Sequence, residues 1–182
     1  SRELGPIYVT QYNIALKYFS VVYMIMELIV SPFWSGFTEA YTKKDFSWMN
    51  NSLHQLEIII LTSIIGVLAM LFAADFVIKL WIGESVTIPY SLYIAMSIFV
   101  FFQSAYCIYS NLVNGIGKAR LQLIVFLISS IFIIPFVTYG IRLFGLWGCM
   151  IMPTIIYIIQ TILCRIQIKK LLSENAKGIW AK

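Results

Sequence analysis

Six residues of the first apolar stretch share one line. Asn13, Lys17, Ser20, Met24, Glu27 and Ser31 follow one another at intervals of 4, 3, 4, 3 and 4. On an α-helix, at about 100° per residue, all six fall within about 40° of a common direction. The chemistry this offers is that of a wetted path: a cation, a carboxylate and three hydrogen-bonding side chains on one face of an otherwise apolar helix. A lysine or glutamate near the centre of a membrane helix costs roughly 2.5–3.5 kcal/mol on insertion scales, so such residues face a bundle interior or a water-filled cavity. Lys17 and Glu27 stand ten positions apart. That is about 15 Å of helical rise, too far for direct pairing. The stripe is therefore expected to line a cavity. Snorkelling of Lys17 to the outer surface is the alternative.

A second, milder stripe repeats the spacing. Gln103, Cys107, Ser110 and Asn114 lie 4, 3 and 4 apart. They fit a secondary cavity wall or a hydrogen-bonded seam between helices. Asp75 and Lys79 read as a surface i,i+4 pair. Glu39, Asp45, His54 and Glu57 are spread over 19 residues without a catalytic motif. Cys107, Cys149 and Cys164 sit in apolar runs at no metal-like spacing, and a single histidine offers no metal cage. Gly115 and Gly117 form a GxG that follows no strand, so a dinucleotide fingerprint is rejected. No catalytic residue, metal ligand or cofactor is assigned.

The elements that must carry these side chains are apolar helices. Of 182 residues 60% are hydrophobic and 12% charged, with a mean hydropathy of +0.87. Ordinary soluble domains run about 45–50% and about 25%. That excludes a secreted disulfide scaffold, a nucleic-acid-binding module and a soluble enzyme. Five apolar runs, near 12–34, 58–78, 90–112, 119–139 and 146–168, each reach the roughly 20 residues a bilayer-crossing helix needs. None alternates as a barrel strand would. The expected fold is all-α, a polytopic membrane helix bundle forming a single membrane domain. The segment 35–57 reads as a polar turn with an amphipathic lead into the second span. Pro32, Pro135 and Pro153 lie in or at the ends of spans, and Trp81, Trp147, Tyr90 and Tyr139 read as interfacial anchors.

Charge sets an orientation. Lys43, Lys44, Lys118, Arg120, Arg165, Lys169, Lys170, Lys177 and Lys182 fall on one side; Arg2, Lys79 and Arg142 fall on the other. The positive-inside rule makes the first side cytoplasmic, with the C-terminus inside and the N-terminus outside. Five spans, no initiating Met and no signal peptide suggest the C-terminal part of a longer transporter. A complete five-span protein is the alternative.

Several runs are also familiar in their order. These are Tyr12-Asn13-Ile14-Ala15, Ser31-Pro32-Phe33-Trp34-Ser35-Gly36-Phe37-Thr38-Glu39-Ala40, Leu80-Trp81-Ile82-Gly83 with Ile88-Pro89, Asn114-Gly115-Ile116-Gly117-Lys118 and Phe144-Gly145-Leu146-Trp147-Gly148. Together they resemble the C-terminal half of a bacterial polysaccharide (O-antigen or capsule type) flippase of the MATE-like exporter superfamily. The resemblance implies two six-helix lobes around a cavity open alternately to each side of the inner membrane. It implies a polyprenyl-pyrophosphate-linked oligosaccharide as cargo. Membrane lipids, and glycosyltransferases and a polymerase of the same pathway, are the implied partners, with no nucleic acid.

On that expectation Lys17 supplies positive charge to the pyrophosphate. Asn13, Ser20 and Ser31 bond sugars, and Glu27 couples transport to a proton or cation. Gln103, Ser110 and Asn114 form the possible second cavity wall. A cation-coupled multidrug exporter of the same superfamily and a membrane glycosyl- or acyltransferase are the rival readings.

Overall fold

The computed structural model describes residues 5–83 and 86–181. Five long helices carry it: α1 (Pro6–Thr42), α2 (Phe46–Ile82), α3 (Tyr90–Gly115), α4 (Arg120–Phe144) and α5 (Ile151–Leu172). Short 3-10 turns cover Gly145–Met150 and Gly178–Ala181, and no strand occurs among the described residues. Four stretches are long and apolar enough to cross a membrane: Pro6–Thr42, Phe46–Ile82, Tyr90–Gly115 and Arg120–Leu172. The protein is thus a multi-pass membrane helix bundle.

The last of these stretches is a hairpin. Gln160 Nε2 donates to the Gln122 carbonyl at 3.1 Å, and Gln167 Nε2 to that of Lys118 at 2.9 Å. These bonds set α5 antiparallel to α4. The reversal needs glycine at two places. A Cβ on Gly140 would lie 2.6 Å from the Gly148 carbonyl oxygen, and one on Gly148 would run into the Gly140 carbonyl. With no water to expel between membrane helices, close backbone approach of this kind is what gains packing energy.

The segment 35–57 holds the expected turn and amphipathic lead, but the turn is short, because α1 continues farther than its apolar run. α1 runs on through Pro32 to Thr42, the chain reverses over 43–45, and α2 starts at Phe46. Both arms are amphipathic. Phe37, Ala40, Met49, Leu53 and Leu56 are buried, whereas Glu39, Asn50, His54 and Gln55 are exposed. The Asp45 side chain accepts from the Trp48 N–H at 3.0 Å and so starts α2. At 37 residues each, α1 and α2 are about 55 Å long and outreach a hydrocarbon core of about 30 Å.

α3 is the spine. It runs parallel to α1, joined by Gln11 Nε2 to the Thr87 carbonyl (2.7 Å) at one end and Thr38 Oγ1 to the Gly115 carbonyl (2.6 Å) at the other. α2 runs antiparallel to both, with the Tyr18 hydroxyl donating to the Met70 carbonyl at 2.9 Å. One apolar cluster gathers Phe37, Met49, Leu56, Leu112 and Ile168; another gathers Phe19, Ile78, Leu92, Tyr93 and Met96. Leu61, Ile65, Phe72 and Phe76 of α2 and Ile131 and Ile134 of α4 point outward as a lipid-facing belt.

This up-and-down order sorts the charges. Lys43, Lys44, Lys118, Arg120, Arg165, Lys169, Lys170 and Lys177 collect at one end, and Lys79 and Arg142 at the other. Arg2 and Lys182 lie outside the described residues.

Candidate functional site

α1 buries one face and leaves the other open. Ala15, Phe19, Val22, Met26 and Val30 are buried against the bundle. Asn13, Lys17, Met24, Glu27 and Ser31 are exposed and Ser20 is half-buried, so the polar stripe lies on the unpacked side of the helix. The Ser20 hydroxyl donates back to the Lys17 carbonyl at 2.9 Å. Among the described residues no ion pair engages Lys17 or Glu27.

The two charges occupy opposite edges of the stripe. Glu27 lies on one edge, one helical turn after Tyr23. Tyr12 of the same helix lines a cavity of about 330 Å³ whose wall also includes Phe126, Ser129, Ser130 and Tyr157. An aromatic wall carrying hydroxyls can hold an amphiphile. Lys17 stands on the far edge.

The second stripe acts largely as a seam. The Ser110 hydroxyl donates to the Cys107 carbonyl of its own helix at 3.0 Å. Asn114 Oδ1 accepts from Gln122 Nε2 at 3.2 Å, while Gln122 Oε1 accepts from the Tyr106 hydroxyl at 2.9 Å. With the Gln160 bond described above, Gln122 fastens α3, α4 and α5 together. Gln103 is half-buried.

Sequence reading overlooked Gln122, Gln160 and Gln167. The last two are fully buried, and Gln160, Cys164 and Gln167 lie 4 and 3 apart, the same signal that marked the other stripes. The Oε1 atoms of Gln160 and Gln167 and the Ser104 hydroxyl are buried without a hydrogen-bond partner.

The acidic residues of 39–57 do not converge. Glu39 pairs with Lys43 at 2.6 Å, Asp45 caps α2, and His54 is exposed. Glu57 Oε1 accepts from Arg165 Nε at 2.9 Å and from the Tyr109 hydroxyl at 3.1 Å, with Lys169 Nζ at 3.9 Å. One carboxylate therefore joins α2, α3 and α5. Among the described residues no three His, Cys, Asp or Glu side chains are grouped to hold a metal ion. The Asp75–Lys79 pair is present at 2.7 Å on the surface.

The family model described as MatE matches residues 2–139. No curated protein and no solved structure matches the chain.

Proposed function

The chain belongs to the MatE family, and from that footing we propose that it flips a polyprenyl-pyrophosphate-linked oligosaccharide across the bacterial inner membrane for surface polysaccharide assembly. Members of this family are membrane transporters. The observation that carries the reading is the open polar face of α1, with Lys17 and Glu27 on opposite edges of one stripe. A pyrophosphate and its sugars cannot cross about 30 Å of hydrocarbon without polar partners. On this reading Lys17 attracts the pyrophosphate, Asn13, Ser20 and Ser31 offer hydrogen bonds to sugars, and the prenyl tail stays in lipid. Glu27 is the coupling group, because a carboxylate within a membrane span is a ready site for exchanging a proton or cation along a transport path. The basic end faces the cytoplasm, with the C-terminus inside.

A cation-coupled drug exporter is the second reading. It is favoured by Tyr23 and Glu27 standing one helical turn apart on α1, an arrangement suited to a cationic aromatic cargo.

One experiment separates the two, using the full-length protein expressed at equal levels. Lys17→Ala should lower surface polysaccharide strongly, and Lys17→Arg should retain part of it. Glu27→Gln should abolish dependence on an ion gradient. Ile25→Ala and Ile29→Ala should be mild. Normal polysaccharide in both Lys17→Ala and Glu27→Gln would overturn the flippase reading. Loss of drug resistance in Glu27→Gln alone would establish the exporter.

A further inference from the structure

At the basic end, the α1–α2 turn, the α3–α4 turn and the segment after α5 enclose a pocket of about 310 Å³. Its wall includes Tyr41, Lys44, Phe46, Lys118, Leu171 and Glu174. Three features mark it as built to bind.

The first is a pair of capped helix ends. Among the described residues, Lys44 (φ 57°) and Glu174 (φ 58°) are the two non-glycine residues with left-handed backbone. Both line this pocket. They close α1 and α5, where the Asp45 N–H bonds the Ala40 carbonyl at 2.9 Å and the Asn175 N–H the Lys170 carbonyl at 3.0 Å, so the two caps fix where these side chains leave the backbone.

The second is charge. Lys44 and Lys118 come from different turns, and neither they nor Glu174 form an ion pair among the described residues.

The third is a fixed wall. Gln167 Nε2 bonds the carbonyls of both Lys118 (2.9 Å) and Trp180 (3.3 Å), and Lys170 Nζ sits 4.0 Å over the Trp180 ring. Opposite, the Tyr41 and Phe46 rings meet edge to face at 6.3 Å.

We propose that this pocket binds the headgroup of phosphatidylethanolamine. Two ammonium groups match one phosphodiester, while the Glu174 carboxylate matches the primary ammonium beside it. The Tyr41 and Phe46 rings and Leu171 line the path toward the glycerol. A choline headgroup has no N–H to donate to Glu174, and a phosphatidylglycerol headgroup has no cation. The pocket lies at the basic end of the bundle, beyond the outward-facing apolar residues of α4. The assignment is independent of the transported cargo.

The test uses the full-length protein, delipidated in detergent and followed by thermal unfolding and native mass spectrometry. Added phosphatidylethanolamine should raise Tm several degrees more than phosphatidylglycerol or phosphatidylcholine. Lys44→Gly and Glu174→Gly relieve the left-handed backbone, so each should raise lipid-free Tm by about 2 °C. Both should nonetheless lose at least half of the phosphatidylethanolamine shift, and Glu174→Gly should erase its preference over phosphatidylglycerol. Lys118→Gln should weaken binding several-fold. Soluble glycerophosphoethanolamine should need at least a hundredfold higher concentration. Equal potency of the soluble compound would overturn a lipid site. A phosphatidylglycerol shift as large as that of phosphatidylethanolamine, or glycine variants that keep the full shift, would overturn the proposal.

Discussion

The Thr38 hydroxyl donates to the Gly115 carbonyl across 2.6 Å, at a point where the backbones of α1 and α3 pack closely. A Cβ on Gly115 would stand 2.7 Å from the Trp34 carbonyl oxygen, against backbone that cannot swing aside. Gly115→Ala should therefore destabilise by about 1–3 kcal/mol. Thr38→Val removes one interhelical bond and should cost about 0.6 kcal/mol. Equilibrium unfolding in mixed micelles reads both. A Gly115→Ala protein as stable as wild type would refute the close crossing.

The α4–α5 hairpin makes a graded prediction. Gly148→Ala should be the more damaging change, Gly140→Ala less so, because the Gly148 Cβ meets the opposing carbonyl at shorter range. Gly66 sits in α2 with nothing within 4 Å of its Cβ position. Gly66→Ala should stabilise by about 0.5–1 kcal/mol through helix propensity. A reversed order among the three would remove the packing argument.

Glu57 and Arg165 invite a double-mutant cycle. The Arg165 side chain is 51% exposed and that of Glu57 22%. Solvent screening then limits the coupling to about 0.5–1 kcal/mol. Glu57→Gln leaves an acceptor for the Tyr109 hydroxyl and should cost less than Glu57→Ala. Strictly additive single variants would show that the pair contributes nothing.

Orientation can be read with single cysteines after Cys107, Cys149 and Cys164 are replaced. An impermeant thiol reagent applied to intact cells should label a cysteine at Thr87 and spare those at Lys43 and Lys177. The opposite labelling pattern would invert the assigned topology.

Much of the architecture was legible in the residues. The apolar runs mark the long helices, and the 3–4 spacing of Asn13 through Ser31 marks one face of α1 before any neighbour is known. Asp75–Lys79 was legible because both partners lie on one turn of one helix. The amphipathic lead into α2 was legible too, but the extension of α1 to Thr42 was not, because it buries only a single face and its apolar residues are diluted by Ser35, Thr38 and Glu39. Gln122 escaped because it is a lone amide in an apolar run, and the Gln160, Cys164 and Gln167 row escaped because its one charged neighbour, Arg165, lies off that face. Their meaning depends on which helix faces which. Glu57 and Arg165, 108 positions apart, depend on the same unseen pairing.

The parallel docking of α1 on α3 has a consequence for biogenesis. Thr38 and Gly115 are 77 residues apart in the chain. At roughly 5–20 residues per second, that gap takes about 4–15 s to synthesise. Throughout this interval α1 is in the bilayer beside α2 while its main partner is still being made. The Gln11 amide, which later bonds the Thr87 carbonyl, must meanwhile lean on the translocon or on interfacial water. A nascent chain arrested before Tyr90 would expose the face formed by Ala15, Phe19, Val22 and Val30, and its α1–α2 hairpin would be the stage most open to membrane quality control.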